Sequence, residues 1–182
     1  CVSTSDLCFV AAIGDALMDI RIREACEEDL PAILGIYNAS IPERIATADT
    51  QPVTVESRRE WFREHTTRTH PLWVAETDGQ VIGWVSLSHF IHERPAYAST
   101  AEISLYVAPE YRHQGIGRRL TRALIDYCPG VGIKTLVALI FGHNEPSLRL
   151  CEQLGFERWG FLPGIAELDG VSRDLVILGK KL

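Results

Sequence analysis

No stretch of this 182-residue chain stays apolar long enough to cross a bilayer as a helix, so no membrane partner is expected. Basic charge is also short: 18 Lys and Arg stand against 24 Asp and Glu, a formal net charge of −6. Polynucleotide binding needs a basic face to neutralise phosphates, so nucleic acid is not an expected partner. The five cysteines (Cys1, Cys8, Cys26, Cys128, Cys151) are odd in number and include no Cys-x-x-Cys pair. They read as reduced thiols of a cytoplasmic protein, not as a disulfide framework. Of the histidines only His89 and His92 stand close together, and no third ligand is in register, so no metal is expected. Methionine occurs once, at Met18, and the residues before it carry no Lys or Arg, which a secretory signal would need. Residues 1–17 are therefore expected to be an N-terminal extension or expression remnant, and residues 18–182 a single domain.

What is present is an ordinary globular composition, 46% hydrophobic and 23% charged. "DIRIREA" alternates like a half-buried strand, with Ile20 and Ile22 on one face. Leu30, Ile33, Leu34 and Tyr37 recur at helical spacing after Asp29, with Pro31 in the first turn. "VTVESRREWFREH" reads as a second helix capped by Thr54. Two β-rich runs flank Asp78-Gly79, the pair that favours a tight hairpin. "AEISLYVAP" is a strand stopped by Pro109, and "TLVALIF" is a buried strand. "NEPSLRLCEQLGF" is a short helix with Asn144 at its start and Gly155 at its stop. "DLVILGKKL" is a closing strand. The order β-α-α-β-β-β-α-β-α-β, with an antiparallel hairpin at its centre, predicts an α+β domain built on a mixed sheet.

Between one strand and the next helix lies "YRHQGIGRRL", two glycines bracketed by three arginines and a histidine. The first N–H groups of a helix have no partner within it, and the positive end of the helix dipole stands behind them. With Gly115 and Gly117 removing side chains and Arg112, Arg118 and Arg119 adding charge, the loop suits a small anion, most naturally phosphate. A P-loop is excluded by the missing Gly-Lys-Ser/Thr, and a dinucleotide fingerprint by the missing third glycine. Taken alone, "QGIG" is equally readable as a plain turn.

In context, "YVAPEYRHQGIGRRLTRALI" resembles the acetyl-CoA-binding motif of the GNAT superfamily of N-acetyltransferases, Gln/Arg-x-x-Gly-x-Gly/Ala. "NEPSLRLCEQLGF" resembles that superfamily's second signature, an Asn followed by a short helix ending in Gly-Phe. The likeness runs from about Met18 to Leu182 and is nearest to the phosphinothricin and methionine sulfoximine acetyltransferase group. It implies the GNAT acyl-CoA N-acyltransferase fold, a central, mostly antiparallel mixed sheet flanked by helices. It implies acetyl-CoA as co-substrate, a small amino-acid-like amine as acceptor, and a homodimer.

Carried onto this chain, the resemblance makes Glu102 the general base; without it, Glu102 would read as a solvated or capping residue at a strand start. Leu105, Tyr106 and Val107 would offer backbone groups to the pantetheine arm on a strand splayed from its neighbour. Arg112, His113, Gln114, Gly115, Ile116, Gly117 and Arg118 would hold the pyrophosphate, and Asn144 and Ser147 the pantetheine. Asn144 also reads as a helix N-cap. Phe90, His92 and Tyr97, with Glu102, would border the acceptor, or else be ordinary hairpin-end residues. The four tryptophans read as core or interface residues. The chain departs from the group in having Cys151 where Tyr or His is common and could protonate the leaving thiolate; Cys151 reads as packing or as a weak acid. "GIAELDGVSRD" reads as a long loop at the acceptor pocket, without the group's usual Trp. Two other readings stay open: a catalytically weak CoA-binding sensor, and an acetyltransferase for a peptide or protein amine.

Overall fold

The computed structural model describes residues 19–65, 68–91 and 94–182. The extension expected over residues 1–17, the start at Met18, and His92 lie outside the described residues. Seven strands and four α-helices follow in chain order: β1 (Arg21–Glu24), α1 (Leu30–Ser40), α2 (Val55–His65), β2 (Leu72–Thr77), β3 (Gln80–His89), β4 (Thr100–Val107), α3 (Ile116–Tyr127), β5 (Thr135–Phe141), α4 (Glu145–Gln153), β6 (Glu157–Leu168) and β7 (Val171–Lys181). They form one mixed sheet in the order β1-β2-β3-β4-β5-β7-β6. Among the described strands only β4 and β5 pair in parallel.

Local chemistry accounts for most boundaries. Asp78 and Gly79 take φ of 49° and 75°, the left-handed pair of a tight hairpin turn. Thr54 caps α2 by accepting the Ser57 N–H at 3.2 Å. Asn144 caps α4 by accepting the Ser147 N–H, and Gly155 leaves that helix at φ 82°.

The expectation for residues 164–174 is overturned. "GIAELDGVSRD" is not a loop: β6 and β7 pair antiparallel through it, turning at Asp169 (φ 51°) and Gly170 (φ 76°). This is the same Asp-Gly device as at Asp78-Gly79. Strand β6 was missed because Pro163 and Gly164 interrupt its alternation. They sit where the register shifts between Leu162 and Ala166, a bulge that an edge strand tolerates.

The core has two layers. On one face of the sheet, α1 and α2 pack Leu30, Ile33 and Phe62 against Leu72, Val74 and Trp84. On the other, α3 and α4 pack Ile116, Leu120, Leu124 and Leu148 against Ile82, Val85, Leu87 and Ile103. Strand β4 therefore sends Ala101, Ile103, Leu105 and Val107 toward α3, and Glu102, Ser104 and Tyr106 to the opposite face by simple alternation. The N-terminus of α1 is tied to the sheet by Arg23, which donates to both Asp29 oxygens (2.6 and 2.9 Å) and to Glu76 (2.6 Å).

Candidate active site

The sheet forks at β4. Thr100–Glu102 pair with Thr135–Val137 of β5, and no pairing continues beyond Glu102. Ala108 N–H donates to Ile82 O at 2.9 Å, so Ala108 and every second residue before it face β3. Leu105 and Val107 consequently turn their N–H and C=O groups into the gap beside β5. Their side chains pack in the α3 layer, as the core reading expects, and that packing leaves the backbone edge open for the expected role.

The fork leads to the glycine loop. Arg112 N–H bonds Pro109 O at 3.3 Å, and Arg119 N–H makes the next backbone bond, to Gly115 O at 3.0 Å. The N–H groups of His113 to Arg118 between them have no acceptor among the described residues. Left-handed φ at His113 (62°) and Gly115 (78°) folds them around the start of α3. Such a run of unpaired donors at a helix N-terminus is a cradle for phosphate. The two glycines differ. A Cβ on Gly115 would meet nothing within 4 Å, so this residue keeps the cradle open. A Cβ on Gly117 would lie 3.2 Å from Leu105 and 3.3 Å from Leu150, so this glycine serves the packing of α3 on the sheet instead.

The arginines are not idle. Arg112 forks onto Glu43 (2.8 and 3.0 Å) and reaches Val107 O at 3.3 Å. Arg118 donates to Gln153, and Arg119 to Ile20 O. Gln114 donates to Glu110 O. Asn144 is buried; besides capping α4 it donates to Ile45 O at 3.3 Å.

Glu102 sits at the fork itself, opposite Ser88 on β3. Its carboxyl is half-buried, and burial pushes its pKa above the ordinary carboxylate value. A base so raised holds a proton more readily near neutral pH. Cys151 packs against the α3–α4 core, and burial lifts its thiol to about 11. A thiol that weak is a poor donor to a leaving thiolate, which favours its packing role.

On the Glu102 face a cavity of about 330 Å³ opens between the sheet and α1–α2. Its floor is Trp84, Ser86 and Ser88 of β3 with Ser104 and Tyr106 of β4; its roof is Leu34, Tyr37, Arg58, Trp61 and His65. Sequence reasoning missed nearly all of these. The usable signal was the run of alternate positions 84, 86 and 88, in register with 102, 104 and 106. Trp61 and Trp84, read as core, also wall this cavity. Phe90 and Tyr97 do meet, edge to face at 5.9 Å, but at the β3–β4 connection and outside the cavity lining.

This geometry has relatives. The Acetyltransferase (GNAT) family matches residues 33–156, which include the fork, the cradle and α4. The chain belongs to the GNAT acetyltransferase family. It is 48% identical over 166 residues (91% of this chain, 99% of the relative) to a Bacillus subtilis protein provisionally named a phosphinothricin acetyltransferase. It is 34% identical over 164 residues (88% and 94%) to the L-methionine sulfoximine/L-methionine sulfone acetyltransferase of Pseudomonas paraeruginosa. Among solved structures, a GNAT phosphinothricin acetyltransferase of Sinorhizobium meliloti in complex with acetyl-CoA matches with TM-score 0.85 and 31% identity, covering 91% of this chain and 89% of that one. The GNAT chain is thus an acetyltransferase, with acetyl-CoA as co-substrate. The cradle and the gap beside β5 fit the two parts of that molecule: phosphates against free N–H groups, and an amide-rich arm against an unpaired strand edge.

Proposed function

We propose that this GNAT enzyme acetylates the α-amine of a small amino-acid-like acceptor, of the phosphinothricin or methionine sulfoximine type, with Glu102 as general base. The observation that carries the reading is the fork, which puts one half-buried carboxyl at an unpaired strand edge, next to Ser88 and Ser104 of a half-open cavity. The names of the relatives agree with it.

Acetyl-CoA supplies an acetyl thioester. Leu105–Val107 hold its arm along the open edge, and His113–Arg118 hold its phosphates. The Val107 N–H faces the gap and is placed to polarise a carbonyl there. Glu102 takes the proton of the incoming ammonium, directly or through water, so the amine lone pair is free to attack. As the C–N bond forms the C–S bond breaks; CoA would leave as a thiolate and take up, through water, the second proton that the nitrogen sheds, so the chain needs no nucleophile of its own.

Two further parts of the proposal concern setting. Trp159, Phe161 and Ile165 of β6 are exposed (43, 57 and 61%) along an edge strand, an apolar surface of the sort a second copy covers, which supports a homodimer. Cys26, Cys128 and Cys151 are free thiols, which supports a cytoplasmic setting.

The test is release of free thiol from acetyl-CoA in the presence of methionine sulfone, methionine sulfoximine, phosphinothricin, common amino acids, polyamines and a basic peptide. Release with a small amino acid, abolished in Glu102→Gln while CoA still binds, is the expected result. Release only with the peptide would sink the small-acceptor reading.

A further inference from the structure

A short segment of the chain is drawn across the mouth of the fork. Residues 42–46 leave the buried Ile41 at the end of α1 and reach the buried Thr47, whose hydroxyl meets the Tyr37 hydroxyl at 2.6 Å. Between these anchors Pro42, Glu43, Ile45 and Ala46 are exposed, and Arg44 is partly so. Polar ties hold the segment to both arms. On the β4 arm, Arg112 donates to both Glu43 oxygens (2.8 and 3.0 Å), and the Tyr106 hydroxyl donates to Ala46 O at 3.2 Å. On the β5 arm, His143 Nε2 donates to Arg44 O at 2.9 Å, and Asn144 donates to Ile45 O at 3.3 Å. Arg44 also grips Asp169 at the β6–β7 turn (2.7 and 3.2 Å). Arg44 holds a left-handed φ of 56°, which costs energy for a residue with a side chain, so the segment relaxes once its ties loosen.

Two of these ties occupy groups that acetyl-CoA would need. Arg112 Nε donates to Val107 O at 3.3 Å, so the guanidinium stands at the open strand edge with the Glu43 carboxylate on its far side. Glu43 is thus the chain's own anion at the entrance to the phosphate cradle. Asn144 gives its amide N–H to the Ile45 carbonyl, the same partner chemistry that an amide of the pantetheine arm offers. The Arg112–Glu43 pair is about a third exposed on each side (34 and 33%). Ion pairs so placed are weak, and an incoming anion can exchange for the carboxylate at small cost.

We propose that residues 43–46 form a strap that competes with CoA for Arg112 and Asn144, and that CoA binding trades these contacts and frees the strap. This rests on the reading above in which Arg112 and Asn144 serve the cofactor. The phosphate takes the place of the Glu43 carboxylate, which moves into water, so the guanidinium is never left uncompensated. An amide of the arm takes the place of the Ile45 carbonyl. Only chains whose Arg112 is free bind CoA, so the apparent affinity is the intrinsic one scaled by their fraction. Glu43 sets that fraction.

The experiment measures CoA affinity by calorimetry for the full chain, Glu43→Gln, Arg112→Gln and the double variant. Beside it, trypsin cleavage after Arg44 is timed with and without CoA. Glu43→Gln should bind CoA about threefold to fivefold more tightly, the worth of a partly exposed ion pair. Arg112→Gln should bind CoA more weakly, and in that background Glu43→Gln should gain nothing. Saturating CoA should speed cleavage after Arg44 in the wild type by the same factor as the affinity gain, because both are the inverse of the fraction with Arg112 free. In Glu43→Gln, CoA should leave the cleavage rate nearly unchanged. If Glu43→Gln gains no affinity while Arg112→Gln loses it, the strap is overturned and the cofactor reading stands. A gain that survives Arg112→Gln is a general effect of charge and overturns the strap as well. So does protection of the Arg44 bond by CoA. If Arg112→Gln binds CoA as tightly as the wild type, Arg112 does not serve the cofactor, and both readings fall.

Discussion

The two sides of strand β4 solve different problems with different materials. On the α3 side the chain offers backbone: unpaired N–H groups from His113 to Arg118, and the strand edge at Leu105 and Val107. On the α1–α2 side it offers side chains: three serines under an aromatic and ionic roof, with Glu102 paired across from one of them, Ser88. Backbone groups are the same in every sequence, so a surface made of them suits a ligand that never changes. Side chains can be exchanged without disturbing the fold, so on the proposed reading the other surface is the one that would set acceptor choice.

The largest test of this division is Glu102→Gln. Positioned general bases contribute on the order of a hundredfold or more, so kcat should fall by about that factor while CoA affinity stays unchanged. Because burial raises the Glu102 pKa, the base works only above that raised value. Activity should therefore climb with pH through an acidic limb lying above the ordinary carboxylate range. That limb should vanish in Glu102→Gln; a limb that survives the substitution belongs to another group.

Next in size is the anchoring of α1 over the cavity. Burial pushes Asp29 up, but hydrogen bonds from Arg23 and from the Cys26 N–H outweigh it and hold its pKa at about 2, below its ordinary 3.8. A carboxyl so depressed stabilises the fold above its unfolded pKa, by roughly 2 kcal/mol, and loses that contribution as pH falls toward the folded value. Denaturation of wild type and Asp29→Asn at neutral pH should differ by about this amount. The two should converge as pH approaches 2. Equal stabilities at neutral pH would show that α1 is held by packing alone.

The two glycines of the cradle separate ligand from packing. Gly115→Ala puts a Cβ at φ 78° in open space, at a cost of roughly 1 kcal/mol. CoA should bind about fivefold more weakly, with the acceptor KM unmoved. Gly117→Ala should instead lower the melting temperature, since its Cβ presses on Leu105 and Leu150. If Gly117→Ala loses CoA affinity at unchanged stability, the distinction between the two positions is wrong.

The smallest expected effect is Ser104→Ala. One neutral hydrogen bond to a ligand is worth about 1 kcal/mol, so the acceptor KM should rise roughly threefold to fivefold. Stability should hold, because the Ser104 hydroxyl has no protein partner among the described residues to lose. A fall in CoA affinity instead would place Ser104 on the wrong side of the fork.

The glycine loop and its run of free N–H groups were legible in the sequence because their parts are consecutive. Val107, the loop and the start of α3 are joined by the chain itself, and Asn144 caps a helix that announces its own ends. The mixed sheet, the Asp78-Gly79 turn and the Thr54 cap were legible for the same reason, since each is set by neighbours in the chain. Strand β6 was not, because Pro163 and Gly164 hide its alternation and the bulge only makes sense against β7. The cavity between the sheet and the first two helices was harder still. Phe90 and Tyr97, chosen for nearness in sequence to Glu102, lie outside its lining, and Arg58 lies far from Glu102 along the chain.

By itself, the sequence determined the glycine loop, the family and every element but β6, because turns, caps and backbone donors depend on short-range sterics and hydrogen bonding. The tertiary structure alone decided that β4 parts from β5 after Glu102, because strand pairing is a contact between segments more than thirty residues apart. It also decided that Arg58 and Asp49 stand over the serines. That placement depends on α2 crossing the sheet, and no spacing between residues 58 and 104 records it.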